Sequence, residues 1–114
     1  GEGTQQRDYI YIDDVVSALI TIAESPAADG RIYNVGSGTG TRMIDMAGQI
    51  VAIAGGGRVT HVPWPPLVEK IETGDFVADV SRASEALGWR PRTGVTAGVV
   101  KLAGWVQENR ALFA

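Results

Sequence analysis

The sequence contains no cysteine and a single histidine, His61, among its 114 residues. The absence of cysteine excludes disulfide bonds, thiolate nucleophiles and cysteine-ligated zinc sites, and one histidine excludes a multi-histidine metal centre. No apolar run approaches the roughly 18–20 residues of a membrane-spanning helix. The opening residues Gly1-Glu2-Gly3 also lack the basic and apolar stretches of a signal peptide. We therefore expect a protein with no bound metal, no membrane contact and a cytoplasmic location.

Positive charge is also scarce, since 10 Lys and Arg residues face 13 Asp and Glu residues and leave a net charge of −3. A nucleic-acid surface needs a basic patch, so we do not expect nucleic acid as a partner. The remaining composition, 45% hydrophobic and 20% charged, is that of an ordinary folded protein. The length is sufficient for one small core, and we expect residues 1–114 to form a single domain.

Extended and helical segments alternate along the chain. Residues 5–12 are predicted to be extended, because 9–12 are rich in β-forming residues. Apolar residues three and four apart then predict a helix over about 14–24. The same criteria predict short strands at 31–35, 58–62 and 76–78, a loop with a possible helical turn at 67–74, and further helices following Thr41, at 81–87 and at 95–109. Asp13 or Asp14, Thr41 and Ser81 are expected N-caps. This order predicts an α/β fold with short strands and about four helices.

Two features suggest chemistry at first sight. Gly36-Ser37-Gly38-Thr39-Gly40 follows a predicted strand and opens a predicted helix, as a dinucleotide-binding turn does. The third glycine of that motif would fall at Thr41, however, and no acidic residue follows about 20 positions later, so a tight turn is the better interpretation. The adjacent carboxylates of Asp13 and Asp14 point in different directions at a helix start, which favours capping over acid–base chemistry.

Arg7 lies in a polar-to-aromatic extended segment, and two interpretations of it stay open. A guanidinium in such a segment is suited to bidentate recognition of a phosphate. The alternative is a structural ion pair with Asp8 or with another carboxylate. The residues alone favour neither.

Several motifs, taken in order, resemble those of extended short-chain dehydrogenases/reductases, the NAD-dependent nucleotide-sugar epimerases and dehydratases of the UDP-glucose 4-epimerase type. Residues 1–15 resemble the segment G-[DE]-G-x-Q-x-R-D-[FY]-[IV]-[YH]-V-x-D-[VL] of that family. The later matches are Tyr33-Asn34-Val35-Gly36-Ser37-Gly38, Ala78-Asp79-Val80-Ser81-Arg82-Ala83 and Leu87-Gly88-Trp89-Arg90-Pro91, with Gly98 and Trp105 in the last helix. The resemblance covers nearly the whole chain and implies the small substrate-binding part of that fold.

The resemblance also implies roles for five residues. Arg7 falls on the arginine that contacts the substrate diphosphate, and Tyr9, two positions on, lines the nucleotide pocket. The family motif R-x-G-D falls on residues 69–72, where Glu72 takes the acidic place and Lys70 lies beside the arginine place, which Glu69 occupies. Phe76 falls on an aromatic position that borders the substrate in some members. The expected ligand is therefore a nucleotide-sugar.

Other motifs of the family have no counterpart in this sequence. These are the NAD-binding G-x-x-G-x-x-G and the catalytic Y-x-x-x-K, so the resemblance implies a C-terminal substrate-binding fragment without its N-terminal Rossmann domain. We expect NAD in the parent enzyme but not on this fragment, and neither catalytic residues nor turnover in the chain alone. The alternative is a free-standing binding module that self-associates through apolar surface left exposed.

Overall fold

The computed structural model describes residues 1–113, which form five α-helices and one small sheet. The strands are β1 (Gln6–Asp8) and β2 (Gly40–Arg42). The helices are α1 (Ile12–Glu24), α2 (Met43–Ala54), α3 (Pro66–Ile71), α4 (Ser81–Leu87) and α5 (Val95–Glu108), with 3-10 turns at Pro26–Ala28 and Arg110–Phe113. None of the helices in residues 1–113 combines the length and the apolar composition needed to cross a membrane.

The predicted helices are present, and α3 is added where only a helical turn was expected. The strands differ more from the prediction. Residues 31–35, 58–62 and 76–78 are not in strands, and β2 lies at 40–42 instead. A strand requires a partner for its hydrogen-bond ladder, and β-propensity depends on that context. The pairing between β1 and β2 is antiparallel, with Gln6 opposite Arg42 and Asp8 opposite Gly40.

The expected side-chain caps at the helix starts are wrong. The N-cap residues of α1, α2 and α4 are Tyr11, Arg42 and Val80, and none of them caps through its side chain. At α4 the carboxylate of Asp79 accepts the Ser81 N–H at 2.9 Å, so the cap comes from two residues before the helix. The C-terminal prediction is confirmed, since Gly88 ends α4 with φ 66°.

The buried core is small and lies where α1 meets α4. Ala18 of α1, Ala83 of α4 and Trp89 form its centre, and Ile10, Tyr33, Val35 and Leu87 pack against it. The Trp89 indole donates to the Ser17 hydroxyl at 2.9 Å, which satisfies its one polar atom. Helices α2 and α5 pack against each other, and α2 also contacts β2.

Candidate functional site

Strand β1 carries the candidate residue Arg7 and is bounded on both edges. One edge pairs with β2. Along the other edge the Asp75 carboxylate accepts the Gln6 N–H at 2.7 Å, and the Phe76 N–H donates to the Gln6 carbonyl at 3.1 Å. The segment that follows α3 is therefore held beside β1, which brings residues some 65 positions apart in sequence into one cluster.

The guanidinium of Arg7 is at the centre of this cluster. Its Nη2 donates to the Glu72 carboxylate, and its Nη1 donates to the carbonyls of Gly74 at 2.6 Å and Gln6 at 2.8 Å. The Arg7 side chain keeps 28% of its surface exposed. The structure thus contains the ion pair that the sequence left open, but its partner is Glu72 and not Asp8.

This ion pair favours the charged form of Glu72. The hydrogen bond from Arg7 is the largest cause that holds the pKa of the Glu72 carboxyl below its ordinary value, although desolvation opposes it. The backbone N–H groups of Gly74 and Thr73 act in the same direction as Arg7. Glu72 is therefore a carboxylate at neutral pH, and it faces a cation that is charged at every accessible pH.

Asp8, which sequence reasoning treated only as a possible partner of Arg7, instead organises the glycine-rich turn. Its carboxylate accepts the Ser37 N–H at 2.6 Å, the Ser37 hydroxyl at 2.5 Å and the N–H groups of Gly38 at 3.0 Å and Ala78 at 3.1 Å. Burial raises the pKa of the Asp8 carboxyl, but these hydrogen bonds together lower it by more, so the net pKa is below its ordinary value. The sequence signal for this role was an acidic residue, Asp8, together with a glycine-rich turn later in the chain, whose backbone N–H groups need an acceptor.

The same geometry tests whether the turn fits a dinucleotide. A dinucleotide site needs free backbone N–H groups aimed at a pyrophosphate. Here the N–H groups of Ser37 and Gly38 are already bonded to Asp8, a fixed anion of the chain itself. The turn therefore does not offer the free N–H groups that the pyrophosphate of NAD would need, and it is better interpreted as a tight turn.

Tyr9 contributes to a different part of the surface. It lines an apolar cleft of about 390 Å³ between the start of α1, α2 and α5, together with residues such as Met46, Ile50, Val95 and Leu102. None of the other four candidate residues lines this cleft. The cleft therefore begins one residue after strand β1 ends, and none of the residues that line it belongs to the Arg7 cluster.

Lys70 and Phe76 lie near the cluster without bonding to Arg7. Lys70 is exposed on α3, two residues before Glu72, and its ammonium makes no ion pair among residues 1–113. The Phe76 side chain is 61% exposed while its backbone is anchored to Gln6. Of the five candidates, Arg7 and Glu72 are in direct contact, Phe76 is placed beside Gln6 by a backbone hydrogen bond, and Lys70 and Tyr9 form no hydrogen bond or ion pair with Arg7.

Comparison with known proteins identifies the sequence family. Residues 1–36 match the family described as "NAD dependent epimerase/dehydratase family". The UDP-glucose 4-epimerase of Mycolicibacterium smegmatis is 36% identical over 104 residues, which are 89% of this chain and 31% of that enzyme. The dTDP-L-rhamnose 4-epimerase of Burkholderia thailandensis is 32% identical over 95% of this chain and 29% of its own length. The chain belongs to the NAD-dependent epimerase/dehydratase family.

Solved structures of two epimerases and of a third enzyme share the fold. An epimerase from Methanothermobacter thermautotrophicus superposes with a TM-score of 0.90 at 26% identity, over 98% of this chain and 33% of that one. The UDP-glucose 4-epimerase of Thermotoga maritima, determined with UDP-glucose, gives 0.84 at 27% identity over 96% and 34%. The Bordetella bronchiseptica enzyme WbmF, in complex with NAD⁺ and UDP, gives 0.78 at 27% identity over 98% and 32%. The α/β class is thereby confirmed, and the chain spans about a third of the length of these relatives.

The family motif R-x-G-D also points to a residue that the sequence reasoning passed over. When the motif is placed on residues 72–75, its glycine falls on Gly74 and its aspartate falls on Asp75. Both residues are identical to the motif, so the sequence alone could have indicated Asp75. In the structure Asp75 binds both the backbone N–H and the side-chain amide of Gln6. In this register Glu72 stands at the place of the arginine, so a negative charge replaces a positive one.

Proposed function

We propose that residues 1–114 form the substrate-binding unit of a cytoplasmic NAD-dependent nucleotide-sugar epimerase or dehydratase, and that the unit holds the diphosphate of its substrate through Arg7. The observation that carries this proposal is the position of the Arg7 guanidinium. Two backbone carbonyls and a carboxylate orient it at the edge of the sheet, and the Arg7 side chain as a whole is partly exposed. An oriented, always-charged fork of donors is what bidentate phosphate recognition requires.

The relatives support the chemical class of the ligand. The Thermotoga maritima enzyme was determined with UDP-glucose and WbmF with UDP. In our proposal Lys70 adds a second positive charge from α3, Glu72 lies beside Arg7 where the phosphates bind, and the exposed ring of Phe76 and the ring of Tyr9 border the nucleotide. We assign no catalytic residue to the chain.

The sugar chemistry of such an enzyme requires a hydride acceptor, which NAD supplies when it is bound. Because the glycine-rich turn is filled by Asp8, we propose that this chain neither binds NAD nor turns over substrate by itself. A Rossmann domain N-terminal to these residues would be the partner that completes the site. Steady epimerisation of UDP-glucose by the purified 114-residue chain would contradict this part of the proposal.

Titration calorimetry with UDP-, dTDP- and GDP-sugars tests the binding role. We expect one of these ligands to bind and Arg7→Ala to weaken it at least tenfold, since a charged hydrogen-bonding partner of the phosphate is lost. Arg42→Ala is the matched control, because Arg42 lies on β2 and is also an ion-paired arginine, with Asp45 as its partner. Equal affinity of the wild type and Arg7→Ala would refute the assignment of Arg7.

The second candidate function is a self-associating module without enzymatic activity. The observation that favours it is a row of exposed apolar side chains along one face of α1, formed by Ile12, Val16, Leu19 and Ile20. Residues spaced by three, four and eight share one face of a helix. Apolar surface of this kind is buried in a functional assembly, either against the rest of a longer enzyme or against another copy of the chain.

A further inference from the structure

The donors of Arg7 are largely occupied before any ligand arrives. A guanidinium has five N–H donors, and within residues 1–113 three of its hydrogen bonds go to Gln6, Glu72 and Gly74. Two of these partners are neutral carbonyls, which orient the guanidinium without changing its charge. Glu72 is the one anionic partner among them, and an anion is also what the proposed site would receive.

Glu72 is held in that position by its own loop. Its Oε1 accepts the Gly74 N–H at 3.0 Å, and the Gly74 carbonyl in turn accepts from Arg7. Gly74 has φ 78°, a conformation that favours glycine, and this allows the tight return of the chain. Asp75 then fastens the end of the loop to Gln6 through two hydrogen bonds. The 72–75 loop thus presents the carboxylate to Arg7 as part of its folded shape.

We propose that Glu72 determines the specificity of the site, because its carboxylate competes with the ligand phosphate for the guanidinium of Arg7. This inference rests on the proposed function, since it assumes that Arg7 receives a diphosphate. The Arg7–Glu72 pair is nearly neutral, so a phosphate gains attraction only when it displaces the carboxylate, and it is repelled by Glu72 when it does not. In both cases Glu72 lowers the affinity for anions and leaves neutral ligands unaffected. Glu72 therefore sets how strongly the site prefers an anionic ligand to a neutral one.

Glu72→Gln removes the charge and keeps the size of the side chain. We expect the variant to bind UDP about three- to tenfold more tightly than the wild type, the scale of a partly exposed ion pair, and to bind uridine unchanged. Glu69→Gln is the control for net charge. Glu69 is exposed on the neighbouring helix α3, and its carboxylate makes no hydrogen bond or ion pair among residues 1–113.

The background of Arg7→Ala separates competition from general repulsion. If Glu72 acts by occupying Arg7, the gain from Glu72→Gln shrinks markedly when Arg7 is absent, which a double-mutant cycle measures directly. Circular dichroism verifies that each variant is folded. Glu72→Ser also removes the carboxylate and should likewise bind UDP more tightly than the wild type. It replaces Glu72→Gln in the test if the glutamine variant does not fold.

The outcomes distinguish the two levels of the proposal. If the wild type binds UDP and Arg7→Ala binds it more weakly, but Glu72→Gln binds with wild-type affinity or no better than Glu69→Gln, then the role of Glu72 is wrong and the role of Arg7 stands. If UDP binds to neither the wild type nor Glu72→Gln, the diphosphate site itself is refuted, and the role of Glu72 with it. A gain for UDP that is absent for uridine and reduced in the Arg7→Ala background supports the inference.

Discussion

Asp8 shows how much structure one carboxylate can hold together. Its two oxygens accept four hydrogen bonds, three from Ser37 and Gly38 in the glycine-rich turn and one from Ala78 beside β1. Each acceptor contact satisfies a donor that would otherwise lose its partner on leaving water. The turn, strand β1 and the segment after the 72–75 loop are therefore joined at a single residue, next to Arg7.

We expect Asp8→Asn to lower the free energy of unfolding by about 1–3 kcal/mol, because an amide has one acceptor oxygen where the carboxylate has two. Urea denaturation at pH 7 measures the change. Asp45→Asn is the control. Asp45 is exposed and interacts only with Arg42 among its described contacts, so its loss should alter stability far less.

The same variant carries a pH signature. The pKa of Asp8 is lowered in the folded state, so its contribution is present above the pKa of the unfolded chain and is lost as the pH falls through the folded value. The stability difference between the wild type and Asp8→Asn should therefore be full at neutral pH and shrink below about pH 4. A difference that stays constant from pH 7 to pH 3 would contradict this account of Asp8.

At the scale of elements, helix α1 is fixed by two side chains that point back into the molecule. The Asp14 carboxylate is buried and accepts the N–H groups of Arg92 at 3.1 Å and Thr93 at 2.8 Å. One turn later Ser17 receives the indole N–H of Trp89. The segment between α4 and α5 is thereby tied to the first turn of α1, nearly 80 positions earlier in sequence.

Asp13 and Asp14 offer a matched pair to test this tie. We expect Asp14→Ala to destabilise the chain by about 1–3 kcal/mol, since two backbone N–H groups lose their acceptor. Asp13 is exposed and has no such contact among the described residues, so Asp13→Ala should have a clearly smaller effect. Thermal or urea denaturation of both variants decides the point. Equal losses would indicate that both residues act only through the charge at the helix start.

The two aspartates also show where prediction of the elements succeeded and failed. Apolar spacing located α1 and α5 closely, because a helix bonds within its own segment. Capping was predicted from residue type alone, and it failed at Asp14 because α1 begins two residues earlier, at Ile12. Asp14 therefore lies inside the first turn, where its carboxylate binds a distant loop. The strands failed for a related reason, since a ladder needs a second segment that local sequence does not specify.

The whole molecule is more extended than its length requires. Its radius of gyration is 16.9 Å, whereas a compact domain of this size has one of about 13 Å. Few side chains are fully buried, and large apolar ones such as Leu19, Leu67 and Phe76 are more than half exposed. Apolar area left in water provides no stabilisation, which supports the proposal that this unit packs against further protein.

We expect the purified chain to associate with itself as its concentration rises, through the apolar row on α1. Leu19→Lys should shift sedimentation velocity profiles toward the monomer, because a charge at the centre of a contact must be desolvated. Glu24→Gln changes the net charge by the same amount at the polar end of the same helix and should leave association unchanged. A wild-type chain that stays monomeric at high concentration would contradict the second candidate function.

The sequence by itself determined the family and the positions of most helices, and it pointed to Arg7 as a candidate, because motifs and helical periodicity are local properties of the chain. It did not determine which anion faces Arg7, what Asp8 holds, or that Asp75 closes the 72–75 loop on Gln6. Those contacts join residues about 30 to 70 positions apart. A carboxylate is attracted to any donor within reach, and only the folded chain selects which donors those are.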